Sequence, residues 1–214
     1  MKPLILAAAT ILGLAGAAQA ANYDVFVTAN PFRSPGAPGL QTRAVTLSPS
    51  GPQNFNGAGY SFSLANIGDT VSMWVYGLVS YDSPINADDL TPRPTSATFD
   101  FGAYGKRSIT GESYAVANGP LPTTDGFALA EFFGQSVRFK VSPTEQLVVS
   151  LTDTVFGSTG GLTNFTDGRR GIGMVQANFS LSPVPLPAAL PLGLAALGAL
   201  GFVGRRRKTA AKSA

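Results

Sequence analysis

Cysteine and histidine are both absent from the 214-residue chain. Without cysteine there is no disulfide, no thiolate nucleophile and no thiolate-held zinc or iron–sulfur centre. Without histidine there is no Ser-His-Asp triad, no imidazole general base and no His-ligated metal. Charge is scarce too: 13% of residues are Asp, Glu, Lys or Arg, about half of what a typical soluble domain carries. The 44% of hydrophobic residues nevertheless excludes a disordered chain. Helical periodicity is missing as well, since no segment between Asn22 and Pro183 keeps a 3.6-residue repeat over three turns. Short apolar runs remain, punctuated by 25 Gly and 16 Pro, in a length that allows one domain or two small ones.

The two ends read as addresses. Lys2 is followed by an uncharged apolar stretch from Leu4 to Ala18, and Ala18-Gln19-Ala20 offers small residues where a signal peptidase inspects the chain. Residues 1–20 are therefore expected to be a secretory signal peptide cleaved after Ala20; the alternative is a buried N-terminal helix. At the other end, Val184 to Gly204 are 21 residues without a charge, followed by Arg205, Arg206, Arg207 and Lys208. As a helix that run would measure roughly 31 Å, about one hydrocarbon core. Pro185, Pro187 and Pro191 shorten its straight part. The basic cluster holds a span's end on the cytoplasmic side, leaving the body outside and residues 209–214 as a disordered cytoplasmic tail.

The C-terminal residues also carry a resemblance. Val184-Pro185-Leu186-Pro187-Ala188, an Ala/Leu/Gly-rich helix and the basic stop Arg205–Lys208, in that order, resemble a VPLPA-type sorting signal. This is a variant of the PEP-CTERM class of Gram-negative envelope proteins, and the likeness covers about 25 of the 214 residues. It implies an inner-membrane-anchored precursor and a processing partner, an exosortase, which is an integral-membrane enzyme with a cysteine nucleophile. That enzyme would recognise the motif and cut the tail, releasing the body to the cell surface or an exopolysaccharide matrix. Prolines suit such a role physically, because they keep the motif extended and accessible at the membrane face. The alternative is an ordinary single-span anchor with the same topology.

Separating the addresses from the body changes the charge argument. The formal +3 includes Lys2 and the five basic residues from Arg205 onward, whereas residues 22–183 hold 9 Lys/Arg against 12 Asp/Glu, 9 − 12 = −3. A basic nucleic-acid binder is not supported.

Residues 22–183 read as one antiparallel β-sandwich, jelly-roll-like. Tyr60, Phe62 and Leu64 alternate with Ser61 and Ser63, and Val175, Ala177, Phe179 and Leu181 alternate with Gln176, Asn178 and Ser180. Similar runs at 23–29, 43–47, 71–79, 97–101, 127–133, 137–141 and 147–151 bring the expectation to about nine strands. The run 71–79 is apolar on both faces, which predicts a central strand covered on both sides and a buried Trp74. Residues 81–94 and 111–126 read as long loops, rich in Pro, Asp, Asn and Gly.

Three kinds of chemistry merit weighing in the body. Glycoside hydrolysis or lysis needs paired carboxyls rather than histidine, and Asp100, Glu112, Glu131 and Glu145 are candidates, although no local motif selects a pair. Asp82, Asn86, Asp88 and Asp89 fall within eight residues and could offer oxygen ligands to calcium, although the spacing is not that of an EF-hand. Trp74, Tyr76, Tyr81, Tyr104 and Tyr114 could supply sugar-stacking rings, with Tyr104 and Tyr114 the better surface candidates. Asn164-Phe165-Thr166 and Asn178-Phe179-Ser180 match an acceptor sequon, a chance match in a bacterial-type chain, and Arg169-Arg170 reads as a solvated tip. The leading expectation is an exported cell-surface or matrix protein without enzymatic activity and without a cofactor. A carbohydrate-binding module for exopolysaccharide and a sandwich-fold hydrolase or lyase are the alternatives.

Overall fold

The computed structural model describes residues 20–31, 39–46, 53–80, 84–157 and 171–185. Strands begin at the first residue after Ala20. They are β1 Ala21–Asn30, β2 Thr42–Thr46, β3 Gln53–Asn54, β4 Ala58–Leu64, β5 Thr70–Ser80 and β6 Arg93–Asp100. After a 3-10 turn at Gly102–Tyr104 come β7 Lys106–Ala117, β8 Gly126–Glu131, β9 Ser136–Lys140, β10 Glu145–Leu151, β11 Thr154–Phe156 and β12 Gly173–Pro183. No α-helix occurs among the described residues, and none there is long and apolar enough to cross a membrane. The expected span, the basic stop Arg205–Lys208, Leu186, Pro187 and Ala188 of the sorting motif, and Ala18 of the cleavage site lie outside the described residues.

The strands make two antiparallel six-stranded sheets, ordered β11-β8-β7-β6-β1-β4 and β3-β2-β5-β12-β10-β9. Period-two patterning aims one face of each sheet inward. Tyr23, Val25 and Val27 of β1 are buried while Asn22, Asp24 and Phe26 face outward. Val175, Ala177, Phe179 and Leu181 of β12 are buried against half-exposed Gln176, Asn178 and Ser180. One apolar cluster draws side chains from both sheets, an arrangement consistent with a sandwich. Its centre is aromatic: the Phe179 ring of β12 lies 4.5 Å from Phe62 of β4, 6.1 Å from Phe99 of β6 and 6.2 Å from Phe101. Phe101 in turn sits 4.7 Å from Phe139 of β9.

Two expectations need correction. Residues 111–117 are not loop but the second half of β7, whose twelve residues pair with both β6 and β8. The Gly111 that reads as a breaker is there because the strands crowd: a Cβ would come within 2.2 Å of the Glu131 carbonyl oxygen and 2.9 Å of the Phe132 ring. Trp74 is not buried but 56% exposed. The register between β5 and β12 steps from Val175↔Tyr76 to Gln176↔Trp74, so Val75 is an extra, bulged residue. Up to the bulge the strand alternates regularly, with Val71, Met73 and Val75 turned inward and Ser72 and Trp74 outward; the bulge then reverses the phase and brings Tyr76 inside next to Val75. Beyond the bulge, every β5 residue to Ser80 is buried, so double coverage holds for that half of the central strand only.

The bulge also buries the Tyr76 phenol. No hydrogen-bond partner among the described residues reaches its hydroxyl, and burial pushes its ionisation well above the ordinary 10.0. A phenol held neutral in the fold while the unfolded chain ionises makes stability fall as pH rises past about 10. Tyr76→Phe removes an unpaired buried hydroxyl and is expected to raise stability by about 1 kcal/mol at neutral pH. It should also flatten the alkaline loss, both read from denaturant midpoints across pH; a less stable variant would show that the hydroxyl has a partner.

Candidate functional site

On the outer face of the first sheet, a cleft of about 480 Å³ is lined by Asp24, Phe26, Gly59, Ser61, Asp100 and Gly102, among others. Strand register builds it. Phe26 stands in the middle row, with Asp100 of β6 across on one side and Gly59 of β4 on the other. One row along β1, Asp24 faces Ser61, whose Oγ donates to Asp24 Oδ1 at 2.6 Å. Asp100 Oδ1 accepts the Gly102 N–H at 2.9 Å where β6 gives way to the 3-10 turn. The hollow exists because two of its positions lack side chains: a Cβ on Gly59 or Gly102 would meet nothing within 4 Å. Phe26 is 49% exposed, and its ring lies against Gly57, where any Cβ would fall 2.6 Å from it. Phe26 was legible as an anomaly, an aromatic on the polar phase of the strand that buries Tyr23, Val25 and Val27.

The expected sugar-stacking residues do not share one surface. Tyr104 is exposed in the 3-10 turn before β7, with its ring 6.4 Å from that of Tyr23. Tyr114 is half-buried toward the other end of β7 and donates its hydroxyl to Glu131 Oε2 at 3.0 Å. Burial first, then Glu131, Glu112 and Asp153, push the Tyr114 phenol up. Trp74 stands on the second sheet, opposite Gln176 and beside the Ser72–Asn178 hydrogen bond of 2.6 Å. Tyr76 is buried, and Tyr81 lies outside the described residues. Phe133, 56% exposed, holds a left-handed φ of 54° in the turn after β8, a conformation that costs a bulky residue about 1–2 kcal/mol.

Among the acids, Glu112 and Glu131 are direct register partners on β7 and β8, with Glu112 exposed and Glu131 half-buried. Asp100 lines the cleft instead, and Glu145 accepts the Ser142 hydroxyl at 3.2 Å, at the start of β10. In the Asn86–Asp89 turn the carboxylates bind backbone. Asp88 Oδ2 accepts the Gly39 N–H at 2.7 Å and Asp89 Oδ2 accepts that of Asn86 at 2.8 Å. Asp82 lies outside the described residues, and no group of three acidic side chains placed to hold a metal occurs among those described. No protein-family model, curated protein or solved structure matches this chain.

Like charges facing across a strand pair repel. Glu112→Gln is therefore expected to stabilise the fold by about 0.2–0.5 kcal/mol, a gain that shrinks as salt screens the pair. Denaturant melts at low and high ionic strength check it; a destabilised variant would mean that Glu112 is held by a favourable contact.

Proposed function

We propose that the chain is an exported envelope protein. An exosortase-type enzyme sorts it through residues 184–208, and its β-sandwich acts at the cell surface or in the extracellular matrix without catalysing a reaction. The observation that carries this reading is where the fold starts and stops. β1 begins at Ala21, directly after the expected cleavage at Ala20, and β12 ends at Pro183, directly before Val184 of the sorting motif. Removing both addresses would leave every described strand of both sheets in place.

The finer fold assignment, jelly-roll-like, is supported by the path of the chain. It changes sheets at seven of the eleven steps between consecutive strands, staying put only at β2–β3, β6–β7, β7–β8 and β9–β10. Hydroxyl and amide side chains on the outer faces, such as Ser61, Ser63, Ser108 and Thr110, suit a hydrated surface role.

Intact-mass measurement on the exported protein tests the reading. The expected species starts at Ala21 and lacks Arg205–Lys208, and Pro185→Ala with Pro187→Ala slows loss of the tail. Recovery of exported protein that retains Arg205–Lys208, unchanged by those substitutions, would leave an ordinary anchor.

A further inference from the structure

We propose that the cleft around Phe26 is a binding site for a neutral pyranose unit of a polysaccharide. This inference stands apart from the sorting reading, because it uses only side chains of the first sheet. A sugar ring has an apolar face of C–H groups and a rim of hydroxyls, so its site needs an exposed aromatic beside hydrogen-bonding groups. Phe26 supplies the ring, half exposed on a strand whose other outward residues here are polar. The ring lies over Gly57, where any side chain would collide with it. Gly59 and Gly102 leave the space beside it open, and about 480 Å³ accommodates one to two pyranose rings.

The polar groups set the ligand class. Asp24 and Asp100 each engage one carboxylate oxygen within the protein, with Ser61 Oγ and the Gly102 N–H. Both residues line the cleft, and a carboxylate with one oxygen so engaged keeps acceptor capacity on the other, which suits donor hydroxyls. Two carboxylates against the single Lys106 that pairs with Asp100 across β6 and β7 still leave net negative charge beside the cleft, which disfavours a uronate or sulfated sugar and points to neutral hexoses. Trp74, on the second sheet, does not line this cleft and serves as an internal control.

The test is affinity electrophoresis of the full chain, held in a sugar-free zwitterionic detergent, through gels containing soluble β-glucan, galactomannan or alginate. Retardation is expected in at least one of the two neutral polysaccharides and not in alginate. Phe26→Ala and Gly59→Gln, which respectively remove the ring and fill the hollow, should each weaken the retardation at least tenfold. Gly59 has no strained φ and open space around it, so Gly59→Gln is not expected to disturb folding; an unchanged denaturant midpoint verifies this. Trp74→Ala should leave binding intact. No retardation in either neutral gel overturns the proposal. Preference for alginate, or loss of binding with Trp74→Ala but not with Phe26→Ala, overturns it equally.

Discussion

The packing of Phe179 across the space between the sheets is the contact on which the rest depends. Its ring meets Phe62, Phe99 and Phe101 from the opposite sheet, and Phe101 extends the cluster to Phe139. Each fully buried Phe contributes about 1.5–3 kcal/mol of transfer free energy, and aromatic pairs at these separations add about 0.5–1.5 kcal/mol. With no disulfide available, this apolar core joins the two sheets, helped by hydrogen bonds between them such as that from Thr154 Oγ1 to the Met174 carbonyl. β12 carries Phe179 near the middle of the second sheet, between β5 and β10, so its loss would open that sheet as well as the core.

Inward packing also decides what the outer faces present. On β1 the buried phase of Tyr23, Val25 and Val27 commits Phe26 to the outside. On β5 the inward Val71, Met73 and Val75 commit Trp74 to the outside by the same parity, and the bulge that follows changes only the side on which Tyr76 falls. The two exposed aromatics thus arise from the same cause, regular alternation against a buried phase. Only the first lies beside a cleft lined by carboxylates and glycines.

Strands with clean alternation were legible from the residues alone: the runs at 60–64, 137–141, 147–151 and 175–181 all fall on observed strands. The run at 127–133 overlaps β8, which ends at Glu131 and leaves Phe132 and Phe133 beyond it. β7 was not legible in full, because Gly111 interrupts it for a reason that lies in the neighbouring strand, where the Glu131 carbonyl leaves no room for a Cβ. The two-residue β3 and three-residue β11 are too short to carry a period. Trp74 read as buried because the run 71–79 is apolar on both faces, whereas only the half of β5 after Trp74 is covered on both. Of the candidate site, Asp100 was singled out beforehand. Asp24, Gly59 and Ser61 were not, because they become neighbours only through the register of β1 with β4.

Both terminal strands lie inside a sheet rather than at an edge, β1 between β6 and β4, and β12 between β5 and β10. The two sheets therefore depend for their stability on the first and last of the described strands. Hydrogen exchange on the full chain, followed by mass spectrometry of fragments covering β1 and β12, tests this most directly. The account predicts that amides of both strands exchange only through global unfolding, as slowly as those of β6 and β7. Rapid exchange in β1 or β12, with the other strands protected, would contradict an account in which both are integral to the core.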